Sequence, residues 1–201
     1  MFRIALLAAT AALVCGLGSA QAAGPLDPDW PCIQRRVPQI TLGQVWSGPA
    51  PDEAMEARAR EAKIQDLAAR LAQRRTPLPE AEALIAAFAA EAPPEDVAAL
   101  YLAVFERINA ARSRVMSGIT RYAHKQAAMD RTIEDLRARF EKLNAADPPD
   151  FDALDAAEKE LDWSTRIFQD RQQSLTYVCE TPVILEQRAF ALGRAARAHL
   201  P

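Results

Sequence analysis

From Val97 onward the apolar residues of this chain recur in alternating steps of three and four, first outward and then back. The outward leg reads Val97, Tyr101, Val104, Ile108, Ala111, Val115, Ile119, Tyr122, Gln126, Met129, Ile133, Leu136, Phe140 and Leu143. The return leg reads Phe151, Leu154, Glu158, Leu161, Thr165, Phe168, Gln172, Leu175 and Cys179. A stripe of that period holds two long helices together along one edge. The break at residues 144–150 contains Pro148 and Pro149 and turns the chain back as an antiparallel hairpin. Matching the legs pairs residues whose numbers sum to about 294, such as Gln126 with Phe168 and Val115 with Cys179.

The expected fold is therefore all-α: a helical bundle with a long antiparallel coiled-coil hairpin and an extended N-terminal strap. The hairpin helices span 94–143 and 149–180. Thr181-Pro182 either restarts the chain as a last helix over 182–199 or kinks one continuous helix. Upstream, Pro51-Asp52 opens a helix that runs to about Arg75, and a second follows from Pro79 to Glu91 after the breaker Thr76-Pro77-Leu78-Pro79. The steps from Ala111 through Val115 and Ile119 to Tyr122 gain four residues on the heptad, a stutter that unwinds the supercoil next to Gly118. Residues 94–112 are apolar on several sides, so the first two helices are the candidates to cover them. Beyond Tyr122 the stripe is narrower and projects as a two-helix arm. Residues 23–50 are broken by prolines but hold Trp30, Ile33, Val37, Ile40, Leu42, Val45 and Trp46 as apolar anchors. They form the strap, with a possible short strand over 39–42.

Residues 1–22 have the pattern of a cleavable export signal: Arg3, an apolar run over 4–14, and Ala20-Gln21-Ala22 as the cleavage site. Cleavage near Ala22 places the mature chain, residues 23–201, in the periplasm as one helical domain over 51–201 behind its strap. Cys32 and Cys179 remain, and an even pair in an oxidising compartment reads as one disulfide. With Arg3 removed, 23 basic residues stand against 27 acids, a net charge of −4. That balance argues against nucleic acid as a partner. No segment of the mature chain is apolar enough to span a membrane.

The motifs of cofactor and catalytic chemistry are missing. There is no C-x-x-C-H, no H-E-x-x-H, no G-x-S-x-G and no P-loop. Ser117, Arg121 and His124 share a helix face, but no orienting carboxylate accompanies them in sequence. Asp147, Asp150, Asp152, Asp155 and Glu158 crowd the hairpin tip, where Asp155 and Leu161 stand at the calcium-loop positions that need Gly and Glu. Carboxylates at a helix start are also favoured by its dipole. Glu158, Thr165 and Gln172 make one column of the return seam polar. Arg70, Arg74, Arg75, Arg107, Arg112, Arg114 and Arg121 are interleaved with acids and read as solvated faces.

Off the seam, Trp163 and Ile167 form an i, i+4 pair. They either pack beneath the strap or present an apolar anchor to another protein. The plan of an exported hairpin on a helical base is similar in architecture to periplasmic holdase chaperones and to efflux-adaptor hairpins, without a shared motif. The expectation is an exported, non-enzymatic protein that needs no cofactor. Its hairpin would contact another envelope protein as adaptor, assembly factor or chaperone-like subunit. The alternative is a periplasmic ligand- or metal-binding protein that uses the acidic tip or the polar seam positions.

Overall fold

The computed structural model describes residues 27–201, so the export signal expected at residues 1–22 lies outside the described residues. Six helices follow: α1 (Leu42–Val45), α2 (Glu53–Ala59), α3 (Ala62–Ala72), α4 (Leu78–Glu91), α5 (Pro94–Asn144) and α6 (Phe151–Arg197). Among the described residues there is no strand. Residues 39–41 run extended into α1 instead of forming the possible strand.

The hairpin is as the seam dictates. Helices α5 and α6 pack along one another, and α5 is about 75 Å long at 1.5 Å per residue. The Gln126 side-chain amide donates to the Phe168 carbonyl at 3.3 Å and the Tyr122 hydroxyl to the Arg171 carbonyl at 2.6 Å, which confirms the register of the legs. The return stripe differs in detail. Phe151, Glu158 and Gln172 face solvent, while Ala157 is buried and Leu154, Leu161, Phe168 and Leu175 are half-buried. Alanine at 157 lets the helices close up, which turns Glu158 outward and leaves only Thr165 of the polar column half in the seam.

One expected boundary is corrected, and one left open is decided. The helix expected over 51–75 is broken at Arg60-Glu61 into α2 and α3. Met55 and Ala59 are buried in one register and Ile64, Ala68 and Leu71 in another. In an unbroken helix, Ala59 and Ile64 would point about 140° apart; the break re-phases the chain so that both meet α5. Gln65 returns its side-chain amide to the Ala59 carbonyl at 2.6 Å and so closes the end of α2. At the other boundary, Pro182 neither ends nor restarts a helix; it lies buried inside continuous α6. The Thr181 hydroxyl donates to the Tyr177 carbonyl at 3.3 Å across this point, where the proline removes a main-chain donor.

The core lies in the base. Helices α2 and α3 cover α5 from one side, and α4 covers α6. Every residue from Asp96 to Phe105 is buried as a result. The strap completes this base. Ile40, Val45 and Trp46 enter the core, and the Trp46 ring stacks on Tyr101 at 4.5 Å between centroids. The Tyr101 hydroxyl shares its proton between the carbonyls of Val45 (3.1 Å) and Ala189 (3.0 Å), and burial raises its pKa far above the ordinary phenol value. Gly193 permits that contact, since a Cβ there would stand 2.4 Å from the Val45 oxygen. Ile33, expected as an anchor, points fully into solvent.

Candidate interaction surface

Three buried charges hold the base and the strap in place, and none of them is visible in the apolar period. Arg112, read from sequence as part of a solvated face, is only 1% exposed. Its Nε donates to Glu186 Oε1 at 2.6 Å, and its terminal nitrogens donate to the carbonyls of Val37 (2.5 Å) and Pro38 (3.2 Å). The extended strap has no sheet partner for these carbonyls, and the guanidinium fork supplies the missing donors. Arg188 donates from Nε and Nη2 to the Leu71 carbonyl at 2.8 and 2.6 Å, a cation at the negative end of α3. Burial lowers its pKa. Asp96 sits in the first turn of α5 and accepts from Arg58 at 2.8 Å and from Lys63 at 3.0 Å. Burial raises its carboxyl pKa, but hydrogen bonds from Lys63 and Arg58 outweigh that and hold it below the usual carboxylate value.

Cys32 and Cys179 are joined, with their Cα atoms 5.5 Å apart. The bond ties the strap to α6 where the arm leaves the base. Beside it Trp30 packs on Met116 and Ile119 and donates its indole N–H to the Gln34 carbonyl. This second cluster explains the stutter: the buried positions there are Arg112, Met116, Ile119 and Ala123, of which the first three meet the strap. Val115 is half-buried beside them.

The polar candidates separate in space. His124 is exposed and pairs with Asp29 of the strap, a partner the sequence motif did not contain. Ser117 instead borders a crevice of about 390 Å³ with Arg36, Gln39 and Ser113 between strap and α5. At the tip, Asp150 caps α6 by accepting from the Ala153 N–H at 3.0 Å, and Asp155 pairs with Lys159. Among the described residues no three His, Cys, Asp or Glu side chains gather where a metal ion could be held.

Trp163 lies on the arm, 65% exposed, with Ile167 half-buried four residues on. Among the described residues the strap leaves Trp163 uncovered: Cys32 is bonded to Cys179, and Asp29 further out pairs with His124 on α5. Tyr177 at 76%, Phe151 and Ile184 add further exposed apolar surface to α6, while Trp30 and Trp46 are buried.

No family model matches the chain, and neither a curated protein nor a solved structure matches it. No helix among the described residues is long and apolar enough to cross a membrane.

Proposed function

We propose that this is an exported, non-enzymatic helical protein whose distal arm binds another envelope protein, as adaptor, assembly factor or chaperone-like subunit. The observation that carries this reading is Trp163: a large aromatic, 65% exposed, on a two-helix arm that has no cover from the base. Exposed aromatics of this kind supply much of the free energy of protein interfaces. A bond between Cys32 and Cys179 is compatible with an oxidising compartment outside the cytoplasm. The acidic tip favours no second reading, because Asp150 is used as a cap and Asp155 as an ion-pair partner.

The test is cross-linking in intact cells with the full chain and with a variant in which residues 130–164 are replaced by a short flexible turn. These two residues sit opposite one another in the hairpin, so the base keeps its register. Loss of a cross-linked partner on arm removal is the expected result. An unchanged partner set sinks the reading.

A further inference from the structure

We propose that residues 27–36 are a redox-operated flap: opening the Cys32–Cys179 bond lifts them off the hairpin and bares an apolar seat at the root of the arm, while residues 37–46 stay docked. The flap stands independently of the protein-binding reading, since it concerns what the strap covers and not what the arm meets.

The two halves of the strap are held by different means. From Val37 onward the attachment is broad and non-covalent: Arg112 grips the Val37 and Pro38 carbonyls, and Ile40, Val45 and Trp46 are buried in the base. Before Val37 the strap is a loop bonded mostly to itself. The Trp30 main-chain N–H donates to the Asp27 carbonyl at 2.9 Å, the Trp30 indole N–H to the Gln34 carbonyl at 2.6 Å, and Arg36 pairs with Asp27 at 3.0 Å. This loop meets the helices through the disulfide, through Trp30 on Met116 and Ile119, and through the Asp29–His124 pair. Both side chains of that pair are exposed, so it adds little. Of the ten residues 27–36 only Trp30 is buried. Fixing ten residues costs more than one buried side chain returns, so the covalent bond decides the closed state.

Closure also leaves a polar group unsatisfied. Gln34 Oε1 is buried with no donor from the protein, while the neighbouring Ile33 stands in solvent. Release of the flap returns the Gln34 amide to water.

The bond is reachable from the strap side. Cys32 is half-buried on its turn, whereas Cys179 on α6 is 5% exposed. A crevice of about 140 Å³ lined by Gln34, Gln172, Leu175 and Thr176 opens beside the two sulfurs. The reductant is a dithiol, of the kind a thiol–disulfide oxidoreductase carries. One of its thiolates attacks Cys32 Sγ; the bond to Cys179 breaks as the new one forms, and Cys179 leaves as a thiolate that takes up a proton. The second thiolate of the reductant then attacks its own partner sulfur in the mixed disulfide and frees Cys32, which is protonated in turn. Two electrons and two protons pass to the cysteine pair, and the reductant ends as a disulfide. Met116 and Ile119 are then uncovered on α5.

The test compares the mature protein oxidised and after reduction with dithiothreitol. Trypsin should cut after Arg35 and Arg36 at least about ten-fold faster in the reduced protein. The helical circular dichroism and the near-ultraviolet signal of the Trp46–Tyr101 stack should be retained. In Cys32→Ser, where the bond does not form, Cys179 should react with a maleimide within about ten-fold of the rate in urea-unfolded protein. A smaller gain in cleavage at Arg35 and Arg36 overturns the proposal, as does stronger protection of Cys179 in Cys32→Ser. Loss of the Trp46–Tyr101 signal on reduction also overturns it, because both halves of the strap would then leave together. So does loss of helical signal, because the bond would then be holding the base and not a flap.

Discussion

Arg112→Met gives the most direct measure of how the strap is held. Methionine has nearly the same reach but donates to nothing, so the Glu186 carboxylate and the Val37 and Pro38 carbonyls lose their donors together. Truncating one side of a buried, hydrogen-bonded charge pair costs about 3–5 kcal/mol. Glu186 is a third exposed and Pro38 faces solvent, so water recovers part of that loss. The expected cost is therefore at the low end, ~3 kcal/mol. For a chain of this size that is a fall in Tm of roughly 6–12 °C. Urea denaturation of the oxidised protein measures the difference. Hydrogen exchange should place early loss of protection in the base next to residues 34–41. Arg112→Lys should recover only part of the stability, because one ammonium cannot reach three acceptors in the geometry of a fork. A loss below about 1 kcal/mol for Arg112→Met would refute the reasoning, since it would mean the strap is held by Trp46 and the disulfide alone.

Replacing Cys32 and Cys179 with serine together should destabilise the protein by up to roughly 5 kcal/mol, the chain-entropy limit for a closed loop of this length; two reactive thiols in the untouched mature protein would show that the bridge does not form. Gly193→Ala should cost about 1–3 kcal/mol by forcing the Val45 carbonyl and the Tyr101 ring away from α6, seen as a changed near-ultraviolet signal from the Trp46–Tyr101 stack. The depressed pKa of Asp96 adds stability that is complete above the ordinary carboxylate range and is lost as pH falls through its lower folded value. Asp96→Asn should therefore lower stability at pH 7 and remove part of the acid-dependent slope in urea midpoints, and an unchanged slope counts against the Arg58–Lys63 contacts.

The hairpin was legible because its period accumulates over 47 residues outward, Val97 to Leu143, and 29 back, Phe151 to Cys179, and a single slip would turn the whole stripe away from its partner. Gln126 with Phe168 was placed correctly for that reason. The break between α2 and α3 was not legible: Arg60 and Glu61 are good helix formers, and only the two incompatible registers of Ala59 and Ile64 betray it. Pro182 left restart and continuation open because its local preference is for a first turn, and the packing on both sides of it, with Cys179 and Leu185 buried, carries one helix through. Arg112 and Arg188 were missed because a buried arginine spells the same as a solvated one. The signal that could have found Arg112 lies elsewhere, in a proline-rich strap whose carbonyls have no donors of their own. Trp163 was correctly singled out as off the seam, but which of two neighbours it met depended on how far the strap runs, which its residues do not state.

The position of the disulfide has a mechanical consequence. The arm from Cys179 to the tip at Asp150 is a shaft of about 40 Å, and a load on its end bends it most where it enters the base. The Cys32–Cys179 bond on α6 and the Trp30 cluster on α5 brace the shaft at that point, a collar closed on the strap side only. Because α6 runs unbroken through the collar into the α4 contact, a sideways pull at the tip arrives in the base as torque on a single rod. Reduction of the bond leaves the rod whole and loosens its socket.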